Sequence, residues 1–248
     1  MSSLLLGVDI GTASSKGVLV RTDGAVLATA TRTHEVSMPH PGWVEHDAEA
    51  VWWAEFAAIS RELTARAREP LAAVGVSGIG PCLLPVDSTN RPLRPAILYG
   101  VDTRARIEID ELNEVLGKDT ILERCGSVLT SQAVGPKLAW LRANEPETWA
   151  ATHRFLMASS FIVGRLTGKY ILDHHSASQC TPMYDPVGHR WIEEWSELIA
   201  PGLELPQLCW PSDVVGEVQG SAAEQTGIPP GTPVVAGTID AWAEATSV

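Results

Sequence analysis

The chain has 248 residues, 45% of them hydrophobic, enough for one large domain or two small ones around a real core. A formal net charge of −12 argues against nucleic acid or an anionic membrane as partner and favours small-molecule ligands. The start MSSLLLG has neither the basic region of a secretion signal nor the length of a membrane span.

The first stretch, Leu4 to Val20, is an apolar run holding one carboxylate, Asp9, that breaks at Gly11-Thr12-Ala13-Ser14-Ser15 and resumes after Lys16. It reads as strand, polar turn, strand. Such a tip suits a phosphate. Gly11 lets the backbone approach, Thr12, Ser14 and Ser15 offer hydroxyls, Lys16 adds positive charge, and Asp9 is placed to hold a hydrated magnesium ion. The same residues also fill ordinary hairpin turns, so the stretch alone leaves both readings open.

Asp23-Gly24 is a two-residue turn signal, and Ala25 to Thr31 returns as a third strand, so three antiparallel strands open the protein. A Pro-Gly loop then leads to Asp47, an N-cap for a helix predicted to run to about Arg68, with Trp52, Phe56, Ile59 and Leu63 on one face. Leu71 to Val76 reads as a buried strand. Small residues Ser77 to Pro81 turn the chain before Leu83 to Val86, and Pro95 to Tyr99 follows as a further short strand. Turns after buried strands are where α/β proteins place ligands.

From Asp102 the pattern is helical, with Gly117 as C-cap, and Pro136 is placed as the first residue of another helix. Ser159 to Leu166 forms a helix closed by Gly168, and Trp191 to Ile199 a short one. Pro233 to Ala236 is a strand, Gly237 to Asp240 its turn, and Ala241 onward a helix that reaches Ser247-Val248 without a stop signal, as if the chain were cut short.

Other residues invite functional readings. The cysteines Cys82, Cys125, Cys180 and Cys209 have no zinc-finger spacing and read as reduced core residues of a cytoplasmic protein. His174-His175 beside Asp173 reads as part of a loop whose adjacent side chains point apart, which disfavours metal ligation. His40 and His46 read as surface or packing residues. The tryptophans, among them Trp52, Trp53, Trp191 and Trp195, read as core at helical positions, with Trp43 in a loop.

Taken together, the segments GVDIGTASSKGVLV, PHPGWVEHDAEAVWW, RPAILYGVDTRA, KLAWLRANEPE, RLTGKYILDHHSAS and PVVAGTIDAWAEA resemble, in that order, the N-terminal domain of the FGGY family of carbohydrate kinases. The resemblance covers Leu4 to about Val248. It implies an α/β fold of the ribonuclease-H-like, actin-like ATPase type, with a mixed five-stranded sheet flanked by helices. Residues 1–248 would be the sugar-side domain, and the ATP-binding C-terminal domain would lie outside this chain, which alone would then be inactive. The partners implied are ATP with Mg2+ and a sugar, ketose or polyol, with no nucleic acid or membrane and a homodimer as one possible assembly.

Carried over by position, Asp9 would stand beside the metal and phosphates, Gly11, Thr12, Ser14 and Lys16 would line the phosphate site, and Asp240 would be the general base. A base is required because the attacking hydroxyl loses its proton as it meets the γ-phosphorus. Asp240 follows a strand and precedes AWAEA, so on its own it also reads as a helix N-cap. Gly80, Tyr99, Asp102 and Arg104 would border the sugar. Here the chain departs from the family. Gly80 and Pro81 stand where xylulokinases carry Met-His, and Tyr99 to Arg104 is one residue longer than the usual Trp-x-Asp-x-Arg. A non-catalytic sugar sensor and an actin-like ATPase acting on protein are the competing readings. Retention of Asp9, Lys16 and Asp240 together disfavours the first, and the sugar-side loops the second.

Overall fold

Alternation of apolar side chains builds the central sheet. In the computed structural model, which describes residues 3–246, strand β1 (Leu4–Ile10) buries Leu4, Leu6, Val8 and Ile10 on one face and leaves Leu5, Gly7 and Asp9 half-buried on the other. Strands β2 (Ser14–Arg21) and β3 (Val26–Thr33) continue antiparallel, giving the three-stranded opening expected from the Asp23-Gly24 turn. In this register Val8 lies opposite Gly17, and Asp9 opposite Lys16.

The buried face is closed by a helix that starts where the sequence placed it. The Asp47 carboxylate accepts the amide hydrogens of Glu49 and Ala50 at 2.9 and 2.8 Å. The first turns, Ala48–Trp53, are π-helical and lead into α1 (Ala54–Thr64). It ends before the expected Arg68, because Arg66 and Ala67 donate to the carbonyls of Leu63 and Thr64 and tighten the last turn. A Cβ on Gly17 would lie 2.2 Å from Ile59, so only glycine lets the helix this close. The Val8–Gly17 row therefore faces α1, and the Asp9–Lys16 row faces away from it.

Strand β4 (Leu71–Gly78) lies parallel to β1, with Ser77 opposite Asp9. Beyond it come α2 (Arg106–Leu116), α3 (Val134–Asn144) and α4 (Ala158–Thr167), with Gly117 and Gly168 at positive φ where helix ends were expected. Two starts differ from expectation. The Asp102 segment is a turn before α2 rather than helix. Pro136 is the third residue of α3, since Val134 and Gly135 already donate to the carbonyls of Gln179 and Thr181.

Strands β5 (Val214–Glu217), β6 (Pro233–Val235) and β7 (Thr238–Ile239) complete the sheet, in the order β5–β6–β4–β1–β2–β3 with β7 also on β4. The sheet has seven strands where five were expected. The additions are short: β5 carries little apolar pattern, and β7 was expected to be turn. Gly237, at φ +68°, kinks the chain between β6 and β7 where a Cβ would lie 1.9 Å from the Val76 carbonyl oxygen. Helix α5 (Asp240–Ala245) follows, and the expected continuation through Ser247 and Val248 lies outside the described residues.

One apolar core lies between the sheet, α1 and α4, and a second gathers the helical middle around Leu138, Trp140, Phe155 and Met157. Cys82, Cys125 and Cys180 are buried free thiols, while Cys209 is only half-buried. His174 and His175 are not in a loop. They open a short helix, His174–Ala177, because the Asp173 carboxylate accepts the His175 and Ser176 amides at 3.1 Å each. Trp191 sits in a two-residue strand, not a helix, whereas Trp52, Trp53 and Trp195 are buried as expected. Among the described residues no helix is long and apolar enough to cross a membrane.

Candidate active site

Three parallel strands, β1, β4 and β7, end at one edge of the sheet, so the turns that follow them share one surface. Asp9, Ser77 and Thr238 form one row across these strands, each Cα about 4.8 Å from the next by ordinary strand spacing. The Ser77 hydroxyl donates to Asp9 Oδ1 at 2.8 Å. Thr238 instead donates to Asp173 Oδ1 at 2.8 Å, which ties β7 to the His174 helix.

Asp240 follows directly on β7. It is the first residue of α5, and Ile239 holds the N-cap position without a side-chain bond. The Asp240 carboxylate accepts the Ala241 amide at 2.7 Å. Burial pushes its carboxyl up to about 6, against the pull of that amide, and the charges of Asp9 and Glu244 add to the rise. Asp9 and Asp240 are thus close enough to feel each other.

At the turn after β1, Gly11 donates to the Ser14 carbonyl at 3.1 Å, and a Cβ there would lie 2.7 Å from that oxygen. Thr12 and Ser14 are half-buried, and Lys16 is exposed beside Asp9. Gly7, Asp9, Lys16, Gly17 and Thr31 line a groove of about 300 Å³ on the face away from α1.

The turn is braced from beneath by His34, which nothing in the sequence singled out, and by His46, expected at the surface or in packing and found packed. His34 Nε2 donates to the Gly11 carbonyl at 3.1 Å, and its Nδ1 meets Glu55 at 2.9 Å. His34 packs edge-on against His46, which is buried. His46 Nδ1 accepts from the Trp52 indole at 3.1 Å. Burial and the neighbouring His34 push His46 down to about 4, so it stays neutral at pH 7. The period-2 pattern ended at β3, and nothing local marked His34 as a brace.

At the turn after β4, a Cβ on Gly80 would lie 2.2 Å from Ile239, so this turn packs on the residue before Asp240. The half-buried Tyr99 places its hydroxyl 3.3 Å from Thr12 Oγ1. Cys82 lies between these parts: burial pushes its thiol up to about 12, and Lys137, Asp240 and the Tyr99 backbone all act on it. Asp102 and Arg104 are turned into the protein. Arg104 donates to both Asp102 oxygens, at 3.0 Å from Nε and 2.7 Å from Nη2, while Val44 and Arg104 amides fill the remaining acceptor sites. Arg104 also meets Glu45 at 2.8 Å and lies 4.1 Å over the Trp43 ring. The structure therefore brings Gly80 toward Asp240 and Tyr99 toward the Gly11–Ser14 turn, and spends Asp102 and Arg104 on each other.

The strand order, with a polar hairpin turn on β1 and a carboxylate after β7, places the chain in the class of ribonuclease-H-like, actin-like ATPase folds. Within that class the chain belongs to the FGGY family of carbohydrate kinases: residues 4–246 match the family's N-terminal domain. It is 28% identical over 254 residues to the xylulose kinase of Escherichia coli (strain K12), covering 99% of this chain and 50% of that protein. It is 32% identical over 227 residues to the glycerol kinase of Nocardia farcinica (strain IFM 10152), covering 88% of this chain and 45% of that protein. The crystal structure of xylulose kinase from Rhodospirillum rubrum matches with a TM-score of 0.90 at 31% identity, over 99% of this chain and 50% of that one. The chain spans about half the length of the curated relatives it matches.

Proposed function

We propose that this chain is the sugar-side half of an ATP-dependent carbohydrate kinase, and that Asp240 is its general base. The observation that carries this reading is the placement of Asp9 near the end of β1 and of Asp240 just after β7, the two parallel strands that flank β4, close enough that Asp9 raises the Asp240 pKa. A carboxylate held near 6 is ionised at neutral pH and basic enough to accept a proton from a hydroxyl in the transition state. The hydroxyl oxygen then bonds to the γ-phosphorus, the bond to the β,γ-bridging oxygen breaks, and ADP leaves. In this reading the turn of Gly11, Thr12 and Ser14 cradles phosphate oxygens, and Lys16 offsets their charge. Gly80 and Tyr99 border the sugar, while Asp102 and Arg104 brace the loop that carries Tyr99.

Asp9 suits Mg2+. Ser77 occupies one of its oxygens, the residue is half-buried at an open groove, and the donor is a hard oxygen. When bound, the ion offsets charge on the transferring phosphoryl group. The adenine grip is assigned to a second domain facing this surface, and the four free thiols suit a reducing cytoplasm.

A panel of pentuloses, hexuloses, polyols and aldonates, assayed with the full-length protein by ADP release, tests the reading. One compound, or a small group, is expected to raise ADP release at least about tenfold above the acceptor-free rate. No stimulation by any of them would sink it.

A further inference from the structure

We infer that Lys137 is a positioning residue: it locks the segment before α3 onto Gly100 and thereby sets where Tyr99 stands against the phosphate turn. Its link to catalysis rests on the kinase reading above, but the clamp itself does not. Lys137 is 1% exposed, and its ammonium donates to two backbone carbonyls, Ser131 at 2.6 Å and Gln132 at 3.4 Å. Burying a lysine is costly, and here the charge rigidifies a stretch of irregular backbone.

That stretch grips Gly100 of the sugar-side loop through the peptide groups on both sides of it. The Ser131 hydroxyl donates to the Gly100 carbonyl at 2.8 Å, and the Gly100 amide donates to Gln132 Oε1 at 3.1 Å. A Cβ on Gly100 would lie 2.8 Å from Gln132 Nε2, so the contact is as close as a glycine permits. Gly100 adjoins Tyr99, whose carbonyl accepts the Asp102 amide at 3.0 Å and whose hydroxyl meets Thr12. The chain of contacts runs from Lys137 through Ser131 and Gln132 to Gly100, Tyr99 and Thr12. Beside it lies a cavity of about 190 Å³ lined by Asp102, Thr103, Ser131 and Lys137 among others, into which the loop can relax once the clamp is released.

Lys137→Met keeps the length of the side chain and removes its donors. In the full-length protein it is expected to raise the KM for the sugar about tenfold or more while the KM for ATP stays within about twofold, the signature of a displaced sugar loop. Gln132→Ala should act in the same direction, and the double variant should be little worse than Lys137→Met alone, because both release one clamp. Hydrogen exchange of the 98–104 segment, which needs no activity, should quicken about tenfold in each variant. Unchanged exchange in that segment would overturn the inference, as would losses shared equally between sugar and ATP kinetics or fully additive variants. If Lys137→Met fails to fold, Ser131→Ala and Gln132→Ala decide it by the same exchange readout. A wild-type protein that phosphorylates no acceptor would defeat the kinase reading alone, and exchange would still judge the clamp.

Discussion

Asp240 joins two properties that pH can separate. As a base it must be ionised, so kcat/KM of the full-length enzyme is expected to fall as pH drops through about 6, where burial holds its carboxyl. A profile flat down to pH 4.5 would contradict that role. Stability runs the opposite way. The folded-state pKa lies above the ordinary 3.8, so the contribution is fully present below about pH 4 and is lost as pH rises through about 6. Asp240→Asn is neutral throughout and should melt above the wild type by about 3 °C or more at pH 8, with the gap closing near pH 4. A gap that is the same at both values would show that burial does not strain this carboxylate. The sequence presents Asp240 only as an acid between strand and helix. Its place one residue inside α5, with Ile239 as the N-cap, depends on where β7 ends, and a strand of two residues leaves no periodic trace.

Among the elements, the opening hairpin was legible because alternation and the Asp23-Gly24 turn agree, and the same register that buries Val8 against α1 carries Asp9 and Lys16 outward. The loop from Tyr99 to Arg104 was legible only in its chemistry. Asp and Arg two residues apart can reach outward to a ligand or inward to each other, and the choice was made by distant partners: the Val44 amide, Glu45 and the Trp43 ring. Arg104 lies in a buried network in which Arg94 also pairs with Glu45. Removing its charge leaves the buried Asp102 carboxylate without its ionic partner and Glu45 with Arg94 alone. Arg104→Met should therefore cost about 3–5 kcal/mol in urea unfolding of the chain. A cost under about 1 kcal/mol would mean that the network is solvated or dispensable. His34 was silent in the sequence for a related reason, since its partners Gly11 and Glu55 come from two separate elements. His34→Ala should loosen the phosphate turn and raise the KM for ATP about tenfold with little change for the sugar, and steady-state kinetics with each substrate varied would check this.

At the scale of the whole molecule, fold class and chain order of the motifs were readable because six separated segments agree, and each restrains where the others fall in the sheet. The extra strands β5 and β7 were not, being fixed by pairing to neighbours far along the chain. The face of β1 and β2 that carries Asp9 and Lys16 also leaves Leu5, Val18 and Val20 half-buried. In the proposal ATP is held from that side by a second domain that also excludes water during transfer. The 248-residue chain by itself is therefore expected to show no measurable sugar phosphorylation, and clear turnover by it would contradict the two-domain account. The central claim, that Asp240 removes the proton of the accepting hydroxyl, is tested most directly by Asp240→Asn in the full-length protein, with turnover and sugar affinity measured side by side. The substitution keeps size and hydrogen bonding and removes only the proton acceptor, so turnover should fall by about 10² to 10⁴-fold while sugar affinity changes far less. Turnover within about twofold of the wild type would contradict the claim.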